Sequence, residues 1–144
     1  MILETALMCM AFNIYHEANN QSMLGQIAVG QVVMNRVASP SFPNTVCEVV
    51  KQGPTYKWKP DYPVRNRCQF SWYCDGKSDK PREETAWQHA LMVADGVYYN
   101  KVYDLVEGAT HYHAHYVNPA WASSKTYITR IGDHIFYRWD ISYE

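Results

Sequence analysis

Apolar residues open the chain at helical spacing. Leu3, Leu7, Met10, Ile14 and Ala18 recur at i, i+4, i+7, i+11 and i+15, which predicts one helix from Leu3 to Ala18 with a single core-facing stripe. Glu17 closes that stripe. Asn19 to Ser22 read as a turn in which Ser22 is an N-cap, and a second helix follows from Met23 to Ala38. That helix is apolar almost all round, from Leu24 through Ile27, Val29, Val32 and Val33 to Val37, so it should be buried. Gln31 and Asn35 lie four apart on it; they either find partners within the core or line the floor of a site. Ser39-Pro40 stops the helix, and Asn44 caps a short helix from Thr45 to Lys51. Pro54, Pro60 and Pro63 predict irregular structure over 53–67. Pro81 suits a first helical position and is followed by Glu83 and Glu84, which starts a helix reaching Asn100. Residues 109–117 then alternate as a strand, with His111, His113 and His115 on one face and Tyr112 and Tyr116 on the other. Residues 134–139 form a second strand after a Gly132-Asp133 turn. Helices first and a small antiparallel sheet near the C-terminus make an α+β, mainly helical single domain over residues 1–144.

Composition narrows the function. A net charge of −1 gives no global pull toward nucleic acid, and no apolar run is long enough to insert in a membrane. The N-terminus has no basic segment ahead of its apolar stretch, so it does not read as a signal peptide. Aromatic content is high at 15%, led by 12 Tyr and 5 Trp, side chains that fill cores and also line carbohydrate grooves. The loop over 53–67 carries Lys57, Lys59, Arg65 and Arg67 against Asp61, interleaved with Tyr56, Trp58 and Tyr62. Such a loop can contact an anionic wall polymer, or it can be a plain solvated connection. The four cysteines lack metal-site spacing. They read as free thiols, except that Cys68 and Cys74 can close a small loop.

Two constellations could carry chemistry. Glu17 at the end of a core-facing helix is partly desolvated and lies near the negative end of the helix dipole. Both effects hold a carboxyl protonated, as a general acid requires. The alternative is a helix that ends at Tyr15 or His16 and leaves Glu17 in solvent. Glu17 with Gln69, Phe70, Ser71, Trp72 and the histidine strand suits cleavage of a glycosidic bond. Hydrolysis needs a second carboxylate, for which Asp75 is the nearest in sequence; a lytic transglycosylase does not need one. The second constellation is metal: His111, His113 and His115, with His16 or His134, in a zinc amidase. A non-catalytic wall-binding module is the third reading.

The residues resemble the SleB/CwlJ-type cell-wall hydrolase family. The matching segments are Asn13-Ile14-Tyr15-His16-Glu17-Ala18, Gly25-Gln26-Ile27-Ala28-Val29 and Val32-Val33-Met34-Asn35-Arg36-Val37. Phe42-Pro43-Asn44-Thr45-Val46, Cys68-Gln69-Phe70-Ser71-Trp72, Gly108-Ala109-Thr110-His111-Tyr112-His113 and Ile131-Gly132-Asp133-His134-Ile135-Phe136-Tyr137 follow in family order. The resemblance implies a lysozyme-like fold and a muramidase or lytic transglycosylase that acts on peptidoglycan glycan strands, with Glu17 as catalytic acid. Gln69, Ser71 and Tyr112 are expected to make polar contacts to the sugar and Phe70 or Trp72 to pack or stack, and the resemblance places Thr110, His111, Tyr112 and His113 at the cleft. No metal or cofactor is expected, and the chain is expected to act as a monomer on the cell wall, as phage lysins do. Relatives commonly continue Ala-Arg-Gly-Glu where this chain has Ala18-Asn19-Asn20-Gln21. The second acid is therefore an amide, which favours transglycosylation.

Overall fold

The computed structural model of the protein describes residues 5–140. Leu3 lies outside them, and the first helix, α1, spans Ala6–Ala18. Thr5 caps it, its hydroxyl accepting from the Met8 N–H at 3.1 Å. Met10, Ile14 and Ala18 of the predicted stripe are fully buried. The helix continues past His16, so Glu17 sits in its last turn. Helix α2 spans Met23–Ala38 with Ser22 as its cap, as the sequence predicts. Gly30 lets it approach both neighbours: a Cβ there would lie 3.2–3.3 Å from Val97 and Ile14. The short α3 spans Val46–Val50, capped by Thr45 and not by Asn44.

Helix α4 spans Glu84–Tyr98, so Pro81 precedes the helix and does not begin it. The cap residue, Glu83, makes no side-chain cap bond. Instead the Tyr15 hydroxyl of α1 accepts from the backbone N–H groups of Arg82 and Glu83, each at 3.1 Å. Helices α1, α2 and α4 pack on one another around Met10, Ile14, Val33, Val93, Ala94 and Val97.

The prolines of 53–67 do not abolish regular structure. Strands β1 (Thr55–Tyr56) and β2 (Lys59–Pro63) pair in an irregular antiparallel hairpin. Both strands of a two-stranded ribbon are edge strands, where a proline costs no ladder bond if the side that lacks the N–H faces away from the partner. The C-terminal sheet holds β3 (His111–Ala114), β4 (Thr126–Ile131) and β5 (His134–Arg138) in the order β3-β5-β4, all antiparallel. Strand β3 is shorter than the predicted 109–117, so His115 and Tyr116 leave the ladder. Strand β4 escapes the sequence pattern because Ile128 and Ile131 are three apart. A bulge between Tyr127 and Thr129 lets both pack on the core beneath the sheet. That core joins Phe136 to Ala18, Ala28, Val29 and Val32.

The cysteines correct the thiol reading. Cys9 is bridged to Cys47 across 38 residues, and Cys68 to Cys74. The first bridge ties α1 to α3, a pairing between distant segments that spacing alone does not reveal. Among the described residues no helix is long and apolar enough to cross a membrane.

Candidate active site

Register on β3 decides what reaches Glu17. Tyr112 pairs with Phe136, which is completely buried against the helices, so Tyr112 faces inward. Its hydroxyl donates to Glu17 Oε1. Burial raises the Glu17 carboxyl above its usual range; the Tyr112 hydrogen bond and the Arg36 charge pull the other way and lose. Burial also raises the Tyr112 hydroxyl, and the neighbouring Glu17 adds to it. Burial thus favours the protonated form of this carboxyl, and a hydroxyl donor and a cation stand beside it to stabilise the carboxylate.

Arg36 is the residue that sequence reasoning passed over. It rises from α2 and is 5% exposed. Its Nε donates to the Thr110 carbonyl at 2.7 Å. Its guanidinium carbon lies 4.8 Å from the Phe42 ring centroid and 5.2 Å from that of Phe70. Burial lowers its pKa, against the pull of Tyr112 and Glu17. Nη1 is buried without a protein acceptor. An arginine on a helix this apolar must be buried with a partner, and that was the available signal.

The other candidates divide around this centre. Thr110 is buried; its backbone carbonyl orients Arg36 and its hydroxyl meets His111 Nδ1 at 2.9 Å. His111 and His113 lie on the outer face of β3. Burial, then Arg36 and Lys125, lower His111 to about 4, so it is neutral. Its ring lies among Phe42, Trp121 and Trp139. His113 Nδ1 donates to the Ala114 carbonyl at 2.7 Å, Nε2 meets the Tyr137 hydroxyl at 2.9 Å, and the ring stacks on Tyr137. Phe70 packs under Arg36. Trp72 is also a packing residue: it is 9% exposed, donates to Asn13 Oδ1 at 2.9 Å and is stacked by His16. Gln69 and Ser71 flank these two and are open to solvent. Beside Thr110, a depression of about 480 Å³ is lined by Asn35, Ser39, Trp139 and Asp140. Nothing in the sequence pattern marked Trp121 or Trp139 as neighbours of His111.

The histidine strand does not gather a metal set. His115 lies beyond β3, 3.9 Å from Asp133, and His16 bonds the Asp79 carbonyl. Among the described residues no three metal-ligating side chains converge. Gln31 and Asn35 are satisfied partners: Gln31 bonds the Tyr103 carbonyl and the Leu105 N–H, and Asn35 donates to the Ala109 carbonyl. They hold the 103–109 segment in place; both also line a separate depression of about 270 Å³, and Asn35 borders the one beside Thr110.

Gln21, the amide in place of an acid, turns to Asp133. Its Nε2 donates to Asp133 Oδ2 at 2.9 Å, and its Oε1 accepts from the Asp133 N–H at 3.1 Å. The Gln21 bond leads the effects that hold the Asp133 carboxyl below its usual value. Asp75 closes a turn by accepting from the Lys77 N–H at 2.8 Å.

A cell wall hydrolase family model matches residues 20–137. The spore cortex-lytic enzyme of Halalkalibacterium halodurans is 33% identical over 132 residues, which is 88% of this chain and 33% of that protein. The spore cortex-lytic enzyme of Bacillus cereus is also 33% identical, over 88% of this chain and 42% of its own length. The chain thus spans well under half of these relatives. The catalytic domain of the germination-specific lytic transglycosylase SleB from Bacillus anthracis superposes with a TM-score of 0.65 at 29% identity, covering 95% of this chain and 97% of that one. The Bacillus cereus SleB catalytic domain gives 0.63 at 30% identity, covering 92% and 89%. The fold is therefore the α+β, lysozyme-like one of these domains, and the chain belongs to the SleB-type cell wall hydrolase family.

Proposed function

We propose that this chain cleaves the glycan strand of peptidoglycan between N-acetylmuramic acid and N-acetylglucosamine as a lytic transglycosylase. The observation that carries the reading is the half-buried Glu17 carboxyl, its pKa raised by burial, with the Tyr112 hydroxyl and the Arg36 guanidinium beside it. Glu17 gives its proton to the departing glycosidic oxygen. The carboxylate left behind is stabilised by the Tyr112 hydrogen bond and the Arg36 charge. It then takes the proton of the muramic acid 6-hydroxyl as that oxygen closes on C1, which regenerates the acid and leaves a 1,6-anhydro end. No second carboxylate is required, and the positions of Gln21 and Asp75 fit that economy, since both are engaged in turns. The two disulfides suit work outside a reducing cytoplasm. Mass spectrometry of muropeptides released from purified sacculi tests the reaction. The expected main product ends in 1,6-anhydro-muramic acid; reducing-end muramic acid would mean hydrolysis, and products cut at the peptide amide would mean an amidase.

A further inference from the structure

The basic, aromatic hairpin is not part of the Glu17 site, yet it has structure of its own. It and the loop closed by Cys68–Cys74 border an open groove of about 520 Å³. Tyr56, Tyr62 and Tyr73 line it, with Arg65 and Lys77. Backbone bonds fix its walls: the Val64 N–H donates to the Pro54 carbonyl at 2.9 Å, and the Asn66 N–H to the Cys74 carbonyl at 2.8 Å. The Arg65 guanidinium lies flat against Gly76, where a Cβ would come within 2.8 Å of its Nε and Nη2. The missing Cβ leaves the guanidinium its room, and the φ of +80 at Gly76 independently favours glycine there. None of the ion pairs among the described residues involves Arg65 or Lys77. On the outside, the Lys59 ammonium sits 3.7 Å over the Tyr62 ring, and Trp58 is 77% exposed.

The charge is segregated. Residues 54–77 carry Lys57, Lys59, Arg65, Arg67 and Lys77 against Asp61 and Asp75, in a chain whose net charge is −1. Cations set between tyrosine rings match a polymer that alternates apolar sugar faces with oxyanions, and a guanidinium binds planar oxyanions in a fork.

We propose that this groove is a second, non-catalytic binding site for a glycan chain bearing oxyanions, with sugar faces on the tyrosines and the anions on Arg65 and Lys77. Taking the cell wall as the source of that chain rests on the proposed function. The oxyanion is a phosphate or a carboxylate of the wall, and the probes separate the two. The test uses the full chain with Glu17→Gln, so that the wall is not degraded. Its sedimentation is measured with sacculi that retain their phosphate polymers and with acid-stripped sacculi that keep only carboxylates.

Adding Arg65→Gln and Lys77→Gln should weaken binding by at least about tenfold at low salt and flatten its salt dependence. Tyr62→Ala should weaken it at all salt concentrations. Binding lost on stripping assigns phosphate; binding kept assigns carboxylate. With Glu17 intact, the Arg65→Gln/Lys77→Gln protein should turn over a short soluble oligomer of alternating N-acetylmuramic acid and N-acetylglucosamine as the parent does. Parental binding of the double variant at low salt, or no sedimentation of the Glu17→Gln protein with either wall, overturns the groove site. Absent turnover by the parent overturns the proposed reaction and leaves the binding result to stand.

Discussion

Tyr112 and His113 are neighbours in sequence on opposite faces of β3. Tyr112 reaches inward to a carboxyl whose pKa burial raises. His113 turns outward, engages both ring nitrogens and stacks on Tyr137. The outer face has the residue types that sequence reading associates with chemistry, and the structure spends them on packing. The inner face needs one tyrosine, one arginine and one glutamate, drawn from β3, α2 and α1. Desolvation acts on both faces, and residue type decides the outcome: it raises the Glu17 acid and lowers the His111 base to about 4, which leaves the imidazole uncharged.

The largest effect that would sharpen this contrast is Glu17→Gln, which keeps shape and removes the transferable proton. Turnover of sacculi should fall by roughly 100-fold or more with the circular dichroism spectrum unchanged. The same variant has a stability signature. A carboxyl whose folded pKa is raised stabilises the fold below its unfolded value and loses that stabilisation as pH rises through the folded value. Wild type should therefore gain on Glu17→Gln in melting temperature as pH falls toward 4.5 and below, and drop behind it as pH rises to neutrality. Parallel melting curves across that range would contradict the desolvated acid.

Tyr112→Phe comes next. It removes the donor that favours the carboxylate, so turnover should fall about tenfold and the basic limb of the pH–rate profile should move up. A basic limb that moves down would mean that Tyr112 acts elsewhere.

The helical half of this account was legible in the sequence, because Met10, Ile14 and Ala18 and the apolar run of α2 record burial at a single period. The inward direction of Glu17 could be read for the same reason. Strand β4 was hidden by its bulge, and the Cys9–Cys47 bridge by a separation of 38 residues. Arg36 was quoted in a matching segment but given no role, since a charge in an apolar helix shows its purpose only when Phe42, Phe70 and Thr110 close around it. Trp72 had two readings, and the Asn13 bond with the His16 stack assigns it to packing.

Gln21→Glu puts an acid where the family resemblance implies one. Here it faces Asp133, so it should replace a hydrogen-bonded pair by two like charges and lower the melting temperature slightly at neutral pH and low salt, an effect that added salt screens. The product should remain the 1,6-anhydro form. A shift to reducing ends would show that position 21 can serve as a base after all.

The smallest effect on chemistry is expected on the outer face. His113→Ala should cost about 1 kcal/mol of stability by chemical denaturation and change turnover by less than about threefold. Treatment with EDTA should leave both unchanged; a loss restored by zinc would revive the histidine strand as a metal site.

The central claim is that burial raises the Glu17 carboxyl above its ordinary value, and carboxyl carbon NMR across a pH titration reads it directly. With side-chain carboxyl carbons labelled and Glu17→Gln used to assign the resonance, Glu17 should titrate clearly above the other glutamates, and Tyr112→Phe should raise it further. A Glu17 resonance that titrates at the ordinary carboxyl value of 4.5 or below would contradict the account.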